Sequence, residues 1–396
     1  MTDVIERSVK DRASDVRDWV LNARDSYGRL THFIDGYARA LRDAGVPLDR
    51  LTLHLRQLNP QLRARTFQWN RDAGGAMETG RQYGIEVTDI YLRSTVRPIF
   101  EGGPAIERRL DHTKDDGDFP ILNELRDQGF THYLILPMSL WVLGPAALSI
   151  ATRKPEGFSE GELALVERAN AAFGTAVELQ ETRQLARTLL DTYVGHNAGE
   201  RILSGAIRRG DSEEIHAVIF YCDLRNFTPL SEQCAQNRVI ESLDRYFEAV
   251  SGPVQDHGGE ILKFIGDGML AIFPCPASHV QNCTAANSAL TAAREAQAAM
   301  ARLRENAPEF DLHCGIALHV GDVMFGNVGA ANRLDFTVIG PAVNLVTRIE
   351  PQSKVSPGQI VVSREFADRE SGHYESLGFF GLKGIAAEKE ILYPLD

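Results

Sequence analysis

Positive charge is scarce in this 396-residue chain, which carries 42 Lys and Arg against 54 Asp and Glu and a formal net charge of −12. Proteins that bind nucleic acid need a basic face to meet the phosphate backbone. The composition therefore argues against nucleic acid as a main partner. It leaves open a small phosphorylated ligand, because such a ligand needs only a local cluster of positive groups.

Cysteine is also scarce, with five residues, all in the second half and none in a CxxC pair: Cys222, Cys234, Cys275, Cys283 and Cys314. An odd number without metal-binding spacing indicates free thiols in a reducing compartment. The first residues, MTDVIERSVKDRASDVRD, are charged throughout and do not resemble a signal peptide. We therefore expect a cytoplasmic protein.

Long apolar runs are absent except for residues 133–151, YLILPMSLWVLGPAALSIA, which contain no charge. Pro137, Gly144 and Pro145 interrupt this run, and a membrane-spanning helix would have to tolerate all three. Two strands around a Gly-Pro turn fit better. We therefore expect no membrane partner.

The first half of the chain combines helices with short strands. Leu30, Phe33, Ile34, Tyr37 and Leu41 have helical spacing, and the following LTLHLRQL alternates like a half-buried strand. Further along, the sequence Ser159-Glu160-Gly161-Glu162 is a capping box that opens a long helix. The length suggests roughly two or three domains.

Residues 31–182 resemble a GAF domain through the late strand pair, the GFSE sequence and the long exit helix. The resemblance implies a mixed sheet with a sensor role for a small-molecule or protein effector; an unrelated α+β domain, or a protein-interaction platform, is the alternative. A helical segment, residues 1–30, precedes this domain, and a helical linker, residues 183–212, follows it. An approximate heptad seam lies in the long helix, so that helix either pairs with its copy or packs on its own domain: Leu163, Val166, Phe173 and Val177.

The second half centres on GGEILKFIGDGMLAIFP, residues 258–274. Two short apolar runs flank Gly266-Asp267-Gly268, which predicts a strand hairpin with a tight turn. Lys263 and Asp267 interrupt the apolar runs, and a buried charge needs a partner. A turn aspartate with a solvent-reaching lysine is the plain alternative.

A second carboxylate, Asp223, follows the buried strand AVIFYC. Thr228 and Pro229 then predict a helix start, with Thr228 as the side-chain cap. Carboxylates from neighbouring strand ends can hold two Mg²⁺ ions together with substrate phosphates. Such a pair of ions suits in-line displacement at phosphorus.

A third segment, LDFTVIGPAVNLVTRIE (residues 334–350), predicts a strand, a Gly-Pro break and a helix. Asn344 and Arg348 are four residues apart and share one helical face. A solvated polar face is the plain alternative. Apolar neighbours on both sides indicate instead that the pair lies beside buried surface.

Together these segments resemble the catalytic domain of class III nucleotidyl cyclases over residues 213–396, with four motifs in the family's order and spacing. The resemblance implies an α+β chain whose C-terminal domain has the ferredoxin-like βαββαβ fold. It also implies conversion of ATP to 3′,5′-cyclic AMP and pyrophosphate with two Mg²⁺ or Mn²⁺ ions per site.

The resemblance implies a role for each matching residue. Asp223, Asp267 and the Leu224 carbonyl would bind the metal ions. Asn344 would position the ribose, and Arg348 would stabilise charge on the α-phosphate. Backbone groups around Phe227 and Thr228 would hold the pyrophosphate, and Lys383 in the late GLKG sequence would contact the triphosphate or remain a surface lysine.

Lys263 and Thr337 match the residues that read the purine. A lysine donates to adenine N1 and a threonine accepts from the 6-amino group, so ATP is the expected substrate. A guanylyl cyclase would carry an acidic residue in place of Lys263. Guanylyl cyclase activity and a non-catalytic nucleotide-binding signalling module are the alternatives.

The family also implies a homodimer whose sites lie across the subunit interface, with the metal carboxylates from one protomer and the remaining groups from its partner. One position departs from the family, since Asn226 stands where glycine is usual. A side chain there could crowd the phosphates or add a hydrogen bond, which affects the expected rate.

Overall fold

The computed structural model describes residues 9–23, 28–57, 59, 62–110, 118–275 and 283–395. Residues 1–8 and 24–27 of the expected N-terminal helical segment lie outside this described part. The chain divides into two compact units, residues 1–188 and 189–396. Within the described residues, no helix has the length and apolar content needed to cross a bilayer.

The first unit is built on six strands: β1 (Arg50–Arg56), β2 (Ala64–Asn70), β3 (Gly75–Arg81), β4 (Ile106–Arg109), β5 (His132–Leu140) and β6 (Gly144–Thr152). Its helices are α1 (Val9–Ala23), α2 (Leu30–Asp43), α3 (Asp89–Leu92), α4 (Val96–Phe100), α5 (Pro120–Asp127) and the start of the long α6 (Glu160–Val194). The sheet order is β3-β2-β1-β6-β5-β4. Every described pairing in it is antiparallel, which differs from the mixed sheet that the GAF resemblance implies.

Helices α1, α2 and α6 supply the core on one face of this sheet. The five apolar positions expected on the first long helix all fall in α2 and are all buried. Val166, Phe173 and Val177 of the heptad-like seam are fully buried in this same core. Over these residues α6 therefore packs on its own domain, which is the second of the two alternatives.

Two local predictions in this unit are confirmed. The uncharged run forms β5 and β6, and the turn occupies residues 141–143, just before the expected Gly-Pro pair. At the start of α6 the Ser159 N–H donates to Glu162 Oε2 at 2.6 Å, and the Glu162 N–H donates to Ser159 Oγ at 3.3 Å. This reciprocal pair is a capping box.

The second unit has eight strands: β7 (Ser212–Leu224), β8 (Glu260–Ile265), β9 (Gly268–Pro274), β10 (Cys314–Ala330), β11 (Arg333–Ile339), β12 (Ile360–Ser363), β13 (Tyr374–Phe380) and β14 (Lys389–Pro394). Its helices are α7 (His196–Leu203), α8 (Phe227–Gln233), α9 (Gln236–Asp256), α10 (Thr284–Asn306), α11 (Pro341–Ile349) and α12 (Arg364–Ala367). All five cysteines are free thiols, as expected.

The sheet of the second unit runs β13-β14-β12-β10-β7-β9-β8, and β11 pairs with the end of β10. Strands β10 and β12 are parallel, so the sheet is mixed. The segment from β7 to β10 follows the βαββαβ order, with strands arranged β10-β7-β9-β8. This arrangement agrees with the ferredoxin-like fold that the cyclase resemblance implies.

Strand β7 lies in the middle of this sheet because its apolar run, AVIFYC, can be covered on both faces. Val218 and Phe220 belong to the core beneath α9 and α10. Ala217 and Ile219 belong to the core on the other face, which includes α11. The carboxyl end of β7 is thereby fixed from both sides, and Asp223 stands at that end.

One expectation about α8 is wrong. The helix begins at Phe227, and its N-cap is Asn226 in the left-handed region with φ 57°, rather than Thr228. Thr228 and Pro229 lie inside the first turn. Proline is tolerated there because the first N–H groups of a helix have no intrahelical acceptor.

Candidate active site

Asp223 and Asp267 are brought together by the pairing of β7 with β9. Asp223 stands opposite Gly268 in that ladder, and the Leu224 N–H donates to the Asp267 carbonyl at 3.3 Å. The β8–β9 turn requires a left-handed residue, which Gly266 provides with φ +63°. The expected hairpin with Asp267 at its turn is confirmed by this geometry.

The two carboxyl groups are in hydrogen-bond contact, and both are half-buried. Burial, followed by the charges of Asp267 and Glu350, raises the pKa of Asp223 to about 7. Like charges close together in a partly desolvated site disfavour ionisation of both. A bound cation would remove this penalty.

A third carboxylate, Glu350, lies beside this pair and is compensated by a cation. Arg225 forms an ion pair with Glu350 at 3.0 Å, and it also donates to Ser353 Oγ. Burial raises the pKa of Glu350, and the Arg225 charge acts in the opposite direction. A buried carboxylate needs such a partner, since an unpaired charge in the interior is costly.

Gly315 makes room for this cluster. It stands opposite Asp223 in the β7–β10 ladder. A Cβ at Gly315 would overlap the side chains of Arg225, Glu350 and Ser353. Any larger residue would therefore displace the ion pair next to the Asp223 carboxylate.

The donor set fits magnesium or manganese. Mg²⁺ uses few protein carboxylates and keeps waters or substrate phosphates as its other ligands. Within the described residues, no group of three or more His, Cys, Asp or Glu side chains forms a metal cage. Asp223 and Asp267 offer only oxygen ligands, and burial together with the neighbouring carboxylates raises the pKa of Asp223 despite the opposing charge of Arg225.

The two expected base-reading residues lie on neighbouring strands of the second unit. Lys263 is half-buried on β8, and Thr337 is buried on β11, which lies against β8. Thr337 Oγ1 is enclosed and has no hydrogen-bond partner among the described residues. An unsatisfied buried hydroxyl is costly, and a ligand that donates to it would remove that cost. Because the hydroxyl is enclosed, neighbouring side chains must move before a ligand reaches it.

Asn344 and Arg348 lie on α11 with the predicted spacing of one helical turn. Asn344 is exposed and Arg348 half-buried, while Leu345, Val346 and Ile349 are buried around them. The Arg348 guanidinium lies beside the GLKG turn, since a Cβ placed at Gly384 would be 3.6 Å from both its terminal nitrogens. Lys383 of that turn is exposed.

The phosphate-loop residues follow Asp223 directly. Phe227 is the first residue of α8, and it packs against the α9–α10 core, while Thr228 is exposed. Asn226 is one of two non-glycine residues with positive φ among the described residues. Asparagine tolerates the left-handed region better than other non-glycine residues, which explains how it replaces the family's glycine here.

Four residues of this site were not predicted from the sequence: Arg225, Glu350, Ser353 and Gly315. Signals for the first two were present, because Arg225 directly follows β7 and Glu350 directly follows the apolar helix α11. The ion pair between Arg225 and Glu350 could not be predicted, since the two residues are distant in the chain. The need for glycine at position 315 follows only from that pairing.

Comparison with known proteins identifies the second unit. Residues 211–395 match the family described as the adenylate and guanylate cyclase catalytic domain. The family description names both nucleotide types. The match covers the β7, β8–β9, β11 and α11 residues described above.

Individual relatives and solved structures also match this chain. An uncharacterized protein of Mycobacterium tuberculosis (strain CDC 1551 / Oshkosh) is 31% identical over 244 residues, covering 60% of this chain and 41% of that protein. This chain spans less than half the length of such curated relatives. The adenylyl cyclase CyaB from P. aeruginosa is 27% identical with a TM-score of 0.43, covering 47% of this chain and 96% of that chain. A guanylyl cyclase structure is 30% identical with a TM-score of 0.41, covering 46% of this chain and 93% of that chain.

Proposed function

Because residues 211–395 form a class III nucleotidyl cyclase catalytic domain, we propose that this chain is an adenylyl cyclase that converts ATP to 3′,5′-cyclic AMP and pyrophosphate. In this reaction the ribose 3′-oxygen bonds to the α-phosphorus, and the bond from that phosphorus to the pyrophosphate oxygen breaks. The hydroxyl proton passes to solvent. The observation that carries the proposal is the contact between Asp223 and Asp267 at adjoining strand ends.

Asp223, Asp267 and the Leu224 carbonyl would hold two Mg²⁺ or Mn²⁺ ions, which when bound neutralise phosphate charge and favour the deprotonated 3′-hydroxyl. The ion pair with Arg225 would offset part of the Glu350 charge, so that Glu350 adds less repulsion beside the ions. Asn344 would hold the ribose, and Arg348 would stabilise charge that develops on the α-phosphate. Backbone N–H groups around Phe227 and Thr228 would hold the pyrophosphate.

Lys263 and Thr337 would select adenine. The Thr337 hydroxyl oxygen can accept from the 6-amino group, and Lys263 can donate to N1. Guanine presents the opposite pattern at these two positions, with a carbonyl at C6 and an N–H at N1. A guanylyl cyclase is the second function that the family match allows.

We propose that the active assembly is a homodimer with Asp223 and Asp267 from one protomer and Lys263, Thr337, Asn344 and Arg348 from its partner. Apolar side chains on the second unit support an interface. Met324 and Ile339 are cross-strand neighbours on β10 and β11 and are 43% and 47% exposed. Phe264 and Ile265, beside Lys263, are 50% and 49% exposed. Exposed apolar side chains that lie side by side, as these do in pairs, are a feature of interaction surfaces.

The first unit would be a sensor whose signal enters through α7. Gly195, with φ +96°, lies between α6 and α7 and is the N-cap of α7. The Glu260 carboxylate accepts from the Ala198 N–H at 3.2 Å and from Asn197 Nδ2 at 2.8 Å. Glu260 is the first residue of β8, the strand that carries Lys263. These hydrogen bonds therefore connect α7 to the proposed base-reading strand. Removing residues 1–188 should change activity, and identical rates with and without them would contradict a regulatory role.

The experiment that tests the function is a product assay on the purified full-length chain, with ATP and GTP side by side and Mg²⁺ or Mn²⁺ present. We expect cyclic AMP from ATP and no product from Asp267→Ala. Cyclic GMP as the main product would identify a guanylyl cyclase. No cyclic nucleotide under any of these conditions would favour a non-catalytic nucleotide-binding module.

A further inference from the structure

Strand β1 of the first unit has two different faces. Leu51, Leu53 and Leu55 are buried in the core beneath α1, α2 and α6. The alternate residues line a cavity of about 550 Å³ on the other side of the sheet: Arg50, Thr52, His54 and Arg56. A polar strand face normally contacts water. Here it is covered by other parts of the chain.

The cover of this cavity is largely apolar. Residues from the segment that contains α3 and α4, and from α5, close it, and they include Tyr91, Val96, Phe100, Ile121 and Leu125. The cavity therefore has a polar floor and an apolar, partly aromatic roof. Its volume falls in the range of about 300–1,000 Å³ found for small-molecule sites.

Positive charge dominates the lining. Six arginines contribute, against Glu86, Asp89 and Glu124: Arg50, Arg56, Arg63, Arg65, Arg81 and Arg93. Two of these six already have carboxylate partners, since Arg65 pairs with Glu181 at 2.8 Å and Arg63 with Glu86 at 3.5 Å.

Arg50 and Arg56 use neutral partners instead. Arg50 donates to Gln68 Oε1 at 2.8 Å, and the Arg56 guanidinium lies 4.9 Å from the centre of the Phe100 ring. Burial lowers the pKa of the Arg50 guanidinium. The charges of Tyr133 and Glu124 act in the opposite direction, but among the described residues no carboxylate forms an ion pair with Arg50. Such a desolvated cation is costly, and a bound anion would compensate it.

A buried hydroxyl on the same floor also lacks a partner. Thr52 is 3% exposed, and its Oγ1 has no hydrogen-bond partner among the described residues. His54 beside it is uncharged, because burial and the nearby Arg50 and Arg81 lower its pKa to about 4. Thr52 and Arg50 are two residues apart on one strand face, so a single acidic group can contact both.

We propose that this cavity binds a small organic anion in which a carboxylate or phosphate group is joined to a planar or apolar body. The acidic group of the ligand accepts hydrogen bonds from the Arg50 guanidinium and the Thr52 hydroxyl. The planar or apolar part of the ligand packs against Phe100 and the other apolar residues of the roof. Planar guanidinium groups match the oxygens of carboxylate and phosphate in a bidentate manner. Binding at this site does not depend on the proposed cyclase reaction.

The test compares 2-naphthoate with its neutral amide, 2-naphthamide, by calorimetric titration of the full-length chain without nucleotide. We expect 2-naphthoate to bind at least about tenfold more tightly than the amide, because only the acid pairs with the arginines. Arg50→Gln should remove most of that preference, and Arg50→Lys should retain part of it. Arg168→Gln, an exposed arginine on α6, is the matched control and should bind like wild type.

The proposal is overturned if both compounds bind equally, if neither binds at millimolar concentration, or if the preference survives Arg50→Gln in a folded protein. Circular dichroism of each variant establishes folding, and Thr52→Val supplies a second variant that keeps the charge and removes the hydroxyl. Thr52→Val should weaken the binding of 2-naphthoate more than the binding of 2-naphthamide. The product assay with ATP tests the cyclase separately, so the two proposals can fail independently.

Discussion

The Arg225 guanidinium lies 3.0 Å from the Glu350 carboxylate, and this ion pair adjoins the Asp223 and Asp267 carboxyl groups. The side chains of both partners are largely buried, at 14% and 4% exposure. Glu350 is one of the charges that raise the pKa of Asp223, and Arg225 is the charge that opposes it. The pair therefore contributes to the local charge of the proposed metal site.

A double-variant cycle tests this pairing. Arg225→Met leaves Glu350 buried and unpaired, so we expect a loss of about 3–5 kcal/mol in the free energy of unfolding. The combined Arg225→Met, Glu350→Leu variant should recover a large part of that loss, since no lone charge remains. Denaturant unfolding of the four proteins measures the coupling. Losses that simply add would show that the two residues act independently.

The metal site should respond to pH. The pKa of Asp223 is raised from 3.8 to about 7 in the folded state. Between these values the folded state holds a proton that the unfolded state lacks, so this group's contribution to stability falls as the pH rises toward 7. Mg²⁺ requires the deprotonated carboxylate. The increase in melting temperature caused by millimolar Mg²⁺ should therefore be larger at about pH 8 than at about pH 6.

Asp267→Asn is the control for that titration. The Asp267 charge raises the pKa of Asp223, so its removal in the variant should lower that pKa. The variant also lacks one proposed metal ligand. We expect the melting temperature of Asp267→Asn to be nearly insensitive to Mg²⁺ at both pH values. A wild-type increase that is equal at the two pH values would contradict this account of Asp223.

Asn226 offers a test of backbone conformation at the phosphate loop. Its φ of 57° suits glycine and is tolerated by asparagine. Asn226→Gly should preserve the melting temperature and the cyclase rate within about twofold, while Asn226→Val should lower stability by about 1–2 kcal/mol, because β-branched residues fit this region poorly. Thermal unfolding and initial rates measure the two effects. Equal behaviour of the two variants would show that left-handed backbone is not required.

These residues also show how far the sequence could predict the site. Asp223, Asp267, Asn344 and Arg348 follow from short local patterns, namely strand exits, a glycine turn and helical spacing, and the structure has each on the expected element. The resemblance gave the βαββαβ order of the catalytic domain. Local patterns were sufficient here because each one is decided within a few residues.

The rest depends on long-range packing. Arg225 meets Glu350 only because α11 ends against β7, and the arginine-lined cavity exists only because separate segments cover one face of β1. The Thr228 cap was wrong for a related reason. The chain turns at Asn226 in a left-handed conformation, which the pattern Thr-Pro does not reveal.

Nucleotide choice is testable at Lys263. Lys263→Glu replaces a donor at adenine N1 with an acceptor for the guanine N1–H, so we expect the ratio of kcat/KM for ATP over GTP to fall by at least about tenfold. Arg302→Glu, at an exposed position on α10, makes the same charge change away from the site. It should leave the ratio unchanged. An unaltered ratio in Lys263→Glu would mean that this lysine does not read the base.

Complementation tests whether the site is shared between protomers. Asp267→Ala and Asn344→Ala should each be inactive alone. In an equal mixture about half of the dimers combine one Asp267→Ala protomer with one Asn344→Ala protomer. A two-fold dimer has two equal sites. In each mixed dimer one of these sites carries both substitutions and the other carries neither. We therefore expect roughly a quarter of wild-type activity. If Asp267 and Asn344 served one site within a single protomer, every site in the mixture would carry a defect and cyclic AMP formation would not recover.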